Sequence, residues 1–430
     1  MIGHASVLVE AGPVRIISDP WYRGRAFNEA WEVHPAAVWE PESLAEATHL
    51  WISHEHPDHL SIPTLKAIPP DVRAGLTVLF QRSWSSEVVG FLEKLGFGRL
   101  IEIEHGEKLS LGHGVAIMSW QVGHQDSALA IHHDGQTLLN LNDCKPTSAG
   151  ARRLLAEIGP VDVLLDQFSI AGWAGNPDDG AALAASKRHA LDTLFGHQQD
   201  LAPAATIPFA SFMRFCHREN SYLNTAAVGL DEVAAGWSSK GRSDLVMLHH
   251  GDRWAIGEPA PDIADAVERD LQNQRDRDDA PLVEPEGKEP GEVVTALEER
   301  MDEWRRVFSA PLLRAVTDPV LFQIEDLDLE IVFDPIRRTT APATTVHLSS
   351  QPAWFAGKQR FGVETLLISG RFRLSGDQKG WNRLKRVGGA YAAGIHPRSV
   401  LRTAATPRGR SVATRRSIST AKDLLHTASR

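Results

Sequence analysis

The sequence predicts a layered α/β domain followed by a smaller α+β unit, and three observations carry that expectation. Over roughly the first 250 residues, short apolar strands alternate with helical stretches, the pattern of strands feeding helices that pack outside a sheet. Near Gly251 the texture changes to charged, Pro-rich sequence, and alternating strand-like segments return beyond it. A dense polar string, Ser53-His54-Glu55-His56-Pro57-Asp58-His59, sits directly after an apolar strand. A chain of 430 residues is also too long for one compact core.

Taken in order, residues 7–10 and 14–18 read as a hairpin around Gly12-Pro13, and Asp19-Pro20 breaks its second strand. Residues 49–53 read as a buried strand leading into the histidine string. Further strands are expected at 76–80, 115–122, 129–132, 137–141, 161–165 and 205–209, each an aliphatic run bounded by turn residues. Helices are expected at 63–67, 87–95, 149–158 and 180–194. Residues 270–291 lack apolar periodicity and read as a linker. Residues 293–308 place Leu297, Met301, Trp304 and Phe308 on one helical face. Strands are then expected at 320–324, 329–333, 344–348 and 366–372. The expected division is 1–255 for a metal-binding domain, 256–305 for a charged linker and helix, 306–395 for the second domain and 396–430 for a basic, flexible tail.

The composition, 42% hydrophobic and 23% charged, is that of an ordinary globular protein. No apolar run reaches the ~18 residues of a transmembrane helix, and the N-terminus lacks the basic n-region of a signal peptide. The only cysteines, Cys144 and Cys216, fit a reducing cytoplasm and exclude a disulfide scaffold. A net charge of −10 argues against a nucleic-acid partner. Acids crowd residues 262–303, whereas Arg402, Arg408, Arg410, Arg415, Arg416, Lys422 and Arg430 make the end basic, as in a solvated tail.

The string His54-x-His56-x-Asp58-His59 carries chemistry. Burying that many polar groups without partners is too costly for a core. Alternate residues can converge on one ion while the Asp-His pair turns toward a second. Further donors come from other strand ends. His124 follows the strand at 115–122, Asp143 ends the strand at 137–141 where a carboxylate can bridge two cations, and His217 follows the strand at 205–209. His197, His249 and His250 are rivals for the last position. Glu55 is placed either to move protons or to pin a neighbouring imidazole. His4 and Asp19 are pocket candidates, and Asp166 can orient a ligating histidine. Backbone alternation turns Cys144 and Cys216 away from the site. The 12 tryptophans are expected mainly in cores and interfaces.

These residues resemble the metallo-β-lactamase superfamily, from Gly3-His4-Ala5-Ser6 and Asp19-Pro20-Trp21 through the histidine string to His217. The resemblance implies an αββα sandwich with a dinuclear centre. It puts His54, His56 and His124 on one metal and Asp58, His59 and His217 on the other, with Asp143 bridging. A narrower resemblance, to the CMP-N-acetylneuraminate hydroxylase-like branch, rests on the run from Trp51 to Ser61, on Pro208-Phe209-Ala210-Ser211 and on His217-x-Glu219-Asn220-x-Tyr222-x-Asn224. That branch implies a C-terminal module similar to sterol carrier protein, here at 322–335 and 361–372, with an apolar groove. The arrangement is also similar to the non-haem diiron monooxygenases of diterpenoid antibiotic assembly of the platensimycin type. The implied function is a diiron monooxygenase that uses dioxygen to hydroxylate a hydrophobic substrate, a diterpenoid acid or its CoA thioester. Sialic acid hydroxylases carry a Rieske domain before this fold, and two cysteines cannot supply such a cluster, so a separate reductase is the expected electron source. A homodimer is compatible with this reading. The alternative is a dinuclear zinc hydrolase of an ester, thioester or phosphodiester. A lipid- or partner-binding module without catalysis is a third class.

Overall fold

A computed structural model describes residues 1–122, 126–397 and 406. His124, and the basic tail apart from its first two residues and Thr406, lie outside the described residues.

Strands β1 (Leu8–Ala11), β2 (Val14–Ser18), β3 (Trp31–Val33), β4 (His49–Ile52), β5 (Thr77–Gln81) and β6 (Arg99–Ile103) open the chain. Five of them form one sheet in the order β1-β2-β4-β5-β6, with only β1 antiparallel to its neighbour. They are followed by β7 (Lys108–Gly112), β8 (Val115–Val122), β9 (Asp126–His133), β10 (Gln136–Asn142), β11 (Val163–Gln167), β12 (Ala205–Phe209) and β13 (Met213–Phe215). The second sheet runs β12-β11-β10-β9-β8-β7, while β13 pairs with β3 as a separate ribbon.

Period-two alternation explains the layering. In β4 and β5, Trp51 and Leu79 point between the sheets, where they meet Ile117, Leu129 and Ile131. Their neighbours Leu50, Ile52, Val78 and Phe80 point outward under the helices Ile62–Ala67 and Glu87–Leu95. Strands covered on both faces read as unbroken apolar runs, as Leu50-Trp51-Ile52 does. Beyond the second sheet, Ala128, Ala130 and Leu139 pack under the helix Ser148–Ile158. The result is the expected αββα sandwich.

A four-stranded sheet, β15-β14-β16-β17, forms the second unit from β14 (Val320–Ile324), β15 (Leu329–Phe333), β16 (Thr344–Leu348) and β17 (Arg373–Gly376). The helix Pro290–Val307 brings Val293, Leu297, Met301 and Trp304 into its core, together with Trp381 and Val363 from the helices Gln378–Ala392 and Gly362–Ser369. Aromatic side chains fill this core: Trp304 meets Phe333 edge-on, and Phe322 stacks on Phe333.

Two expectations need correction. Residues 270–279 are not a linker but the end of the helix Ile263–Asp279. It lacks a wide apolar stripe and is tethered by polar contacts instead: Asp270 accepts the Leu230 amide at 2.8 Å, and the Asn273 carbonyl bonds His34 at 2.7 Å. The strand expected at 366–372 is the end of the helix Gly362–Ser369, closed by Gly370 at φ +66°. The edge strand follows as β17.

The two units touch through paired groups. Trp173 stacks on Phe372, and its amide bonds the Leu367 carbonyl at 3.1 Å. The Asn176 side-chain amide donates to the Leu374 carbonyl at 2.7 Å, and its carbonyl accepts the Leu374 amide at 2.9 Å.

Candidate metal centre

The site begins with Asp19. It stands just past β2 at φ +36°, fully buried. Its carboxylate accepts the Ser53 amide at 2.8 Å, the Ser53 hydroxyl at 2.7 Å, His59 Nδ1 at 3.0 Å and the Asn142 amide. These bonds fix two tautomers. The Ser53 hydroxyl spends its only proton on Asp19, so His54 Nδ1, 2.9 Å from that oxygen, is the donor between them. His59 Nδ1 likewise donates to Asp19. Both rings therefore turn their Nε2 atoms inward, as histidines around a metal do.

Around those nitrogens the polar atoms gather into three groups, each with its donor atoms within 4.8 Å of one another: His54, His56 and Asp126; His4, Asp58 and His59; and His54, His59 and Asp143. His54 Nε2 lies 2.9 Å from His56 Nδ1 and 4.0 Å from Asp126. Asp58 Oδ2 lies 3.5 Å from His4 and 3.4 Å from His59 Nε2. Asp143 Oδ2 stands between the two triads, 3.3 Å from His59 Nε2 and 3.9 Å from His54 Nε2, while Gln167 holds its other oxygen at 2.9 Å.

Electrostatics agree with cation binding. Burial, helped by His59 and His56, holds His54 well below the usual histidine pKa and keeps it in the neutral, ligating form. Burial opposes charge on His59, yet Asp58, Asp143 and Asp19 outweigh it and push its pKa well above the ordinary value. Burial lifts the Asp126 carboxyl to about 6. His56 Nε2, Asp58 Oδ1 and His59 Nε2 are buried without hydrogen-bond partners, an arrangement that is costly unless a cation takes them up. The donor set fits two cations sharing Asp143.

Sequence reading and structure part at specific residues. His54, His56, Asp58, His59 and Asp143 converge as expected. His217 does not join them. It is fixed at the end of β13 by the bond from its amide to Asn220 and by a bridge to Val283, and its Nδ1 accepts the Glu219 amide at 3.2 Å. Burial and the nearby Arg371 lower its pKa to about 3. The rivals are also tied elsewhere: His197 to Asp166, His249 to the Ala266 carbonyl and His250 to the Ala36 carbonyl. Beside Asp58 and His59 stands His4 instead, whose signal was the string Gly3-His4-Ala5-Ser6. Asp126 was missed, since it follows the more conspicuous His124 by two residues. Glu55 is exposed at the tip of the turn. Cys144 packs among Met118, Leu139 and Leu154, and Cys216 donates to the Glu29 carbonyl at 3.4 Å.

Residues 1–166 match the β-lactamase superfamily domain, and all seven converging donors lie within that span. The chain is 27% identical over 291 residues to the cytidine monophosphate-N-acetylneuraminic acid hydroxylase of Asterias rubens, which covers 60% of this chain and 43% of that protein. It is 28% identical over 181 residues to a putative Rieske 2Fe-2S iron–sulfur protein of Mycobacterium tuberculosis, covering 40% of this chain and 34% of that one. This chain thus spans less than half the length of these relatives. Among solved structures it is similar to CmlA, a diiron β-hydroxylase from Streptomyces venezuelae, at a TM-score of 0.41 and 19% identity over 58% of this chain and 52% of CmlA.

Proposed function

We propose that this chain, whose residues 1–166 match the β-lactamase superfamily domain, is a non-haem diiron oxygenase that hydroxylates an unactivated C–H bond of a hydrophobic substrate. In this reading His54, His56 and Asp126 hold one iron, His4, Asp58 and His59 hold the other, and Asp143 bridges them, with His124 a further donor to the first. The observation that carries the proposal is the composition of the triads. Each pairs two imidazoles with one carboxylate, the donor pattern of non-haem iron oxygenases, and no thiolate takes part. The hydroxylase relatives support it.

Bound there, an iron pair supplies the redox chemistry that turns dioxygen on an aliphatic carbon. The chain's own residues do the rest. Asp19 and Ser53 lock the ring orientations of His54 and His59, so the donors are set before any ion arrives. Phe27, buried against the His56 ring at 5.8 Å between centroids, excludes water from that side. Glu55, exposed beside His56, carries protons between solvent and the site.

The substrate we propose is a diterpenoid-like acid or its CoA thioester, supported by the resemblance of the motif residues to monooxygenases of diterpenoid antibiotic assembly. Oxygenation needs an electron donor, which we assign to a separate reductase. Two unpaired, buried cysteines support a reducing cytoplasmic setting. Among the described residues, no helix is long and apolar enough to cross a membrane. The same proposal treats residues 1–255 as the metal domain and adds the helix Pro290–Val307 to the second unit.

Elemental analysis after growth in iron-supplemented medium, with purification free of chelators, tests the reading. About two irons per chain with the absorption of a bridged ferric pair supports the oxygenase. Zinc alone under the same conditions overturns it in favour of a hydrolase acting through metal-bound water.

A further inference from the structure

Between β2 and β3 the backbone makes one turn of left-handed helix. Phe27, Asn28 and Glu29 have φ of +51°, +61° and +61°, a conformation that asparagine tolerates but that is disfavoured for Phe and Glu. The Ala30 and Trp31 amides both bond back to the Ala26 carbonyl at 3.1 Å. Three such residues in a row persist only where the surroundings over-determine them.

The surroundings are unusually complete here, and half of them come from the second unit. A helical turn leaves its last carbonyls without partners. Arg371 Nη1 donates to the Asn28 carbonyl at 2.8 Å, Cys216 Sγ to the Glu29 carbonyl at 3.4 Å, and Asn220 Nδ2 to the Ala30 carbonyl at 3.0 Å. Asn220 also reaches the Ser369 carbonyl at 2.7 Å. The Asn28 side-chain amide exchanges two hydrogen bonds with Gln351, at 2.9 and 2.7 Å. Arg371, 2% exposed, is itself held by Glu219 at 2.7 Å. The turn's first residue is Phe27, which packs edge-on against both Trp31 and His56.

We propose that Arg371 and Gln351 are positioning residues: from the second unit they hold the left-handed turn at 27–29 and, through Phe27, set the orientation of His56. The inference rests on the reading of His56 as a metal donor. It gives the second unit a task at the metal site without placing any of its side chains on the metal.

The test uses the full chain with Arg371→Met, and with Gln351→Ala as a second variant in case the first fails to fold. Hydrogen exchange of the Ala30 and Trp31 amides reads the turn, and titration with cobalt(II) followed by its visible spectrum reads the site. In either variant exchange at those amides accelerates, and cobalt affinity falls by about tenfold, as for loss of a group that orients a ligating histidine. Glu29→Gly, which relieves the left-handed strain and costs only the exposed pair with Arg25, restores both readouts when added to Arg371→Met. Unchanged exchange in both variants overturns the proposal, as does faster exchange with unchanged affinity. So does a failure of Glu29→Gly to restore them, since Arg371 would then merely tie the units together. If the wild-type chain binds no cobalt, the metal reading fails on its own, and the exchange data still decide whether the second unit holds the turn.

Discussion

Asp19 gathers more of the site than any residue that faces the proposed metals. One carboxylate orients His59 directly and His54 through the Ser53 hydroxyl. Asp19→Asn replaces one acceptor oxygen with a donor and breaks that proton order. It should weaken metal binding by about 10–100-fold with the fold intact, as read by metal titration beside circular dichroism. A second contrast separates the two histidines between which sequence and structure disagree. His4→Ala should leave about one metal per chain, while His217→Ala should retain both by elemental analysis, and the reverse result would restore His217 to the site. The sequence made the donors within 54–59 legible because four of them stand in one short string after a strand. His4 and Asp126 were harder to read, as each becomes a donor only when distant strand ends meet. His217 misled because it, too, ends a strand, and sequence order does not say which way the chain turns next.

At the scale of the element, the helix Ile263–Asp279 shows how a polar segment is kept in place. Its buried face holds Ala266 and the carboxylate of Asp270, which takes the Leu230 amide and Gln274 at 2.8 Å each. Asp270→Ala leaves that buried amide unpaired and should cost about 1–3 kcal/mol in urea unfolding. Asp270→Asn keeps an acceptor and should cost much less. Burial raises the Asp270 pKa in spite of these donors. The native state therefore holds this proton more tightly than the unfolded chain does. The group's contribution to stability is full below the usual carboxylate pKa and declines as pH rises through the raised value. Asp270→Asn, which cannot ionise, should abolish that decline in stability measured across the acid range. Apolar periodicity is blind to such a helix, because hydrogen bonds rather than a stripe anchor it. The opposite error arose at Leu366-Leu367-Ile368, where a short aliphatic run suits a strand as well as a buried helical turn. Only the left-handed Gly370 settles which it is.

For the whole molecule, metal binding and folding are linked, because the donors come from four separate segments of the chain. Free metal at a hundredfold excess over its Kd should add about 2.7 kcal/mol to unfolding. A chelator should remove that increment from wild-type protein and change nothing in a His56→Ala/Asp143→Ala variant, as scanning calorimetry would read. The layered α/β character of the first unit and the first strand pair of the second were legible from alternation, while the αββα order came from the resemblance of the histidine string and its partners. The contact between the units was not, since beside the Trp173–Phe372 stack it is made of single polar residues such as Asn28, Glu219, Gln351 and Arg371, each unremarked in its own stretch of sequence. The reciprocal amide pair of Asn28 and Gln351 joins positions 323 residues apart and has a consequence for how such a chain can change over generations. Exchanging either half for a foreign counterpart would strand a left-handed turn on one side or a buried guanidinium on the other, so a chimera joined between them would need compensating changes near both Asn28 and Arg371.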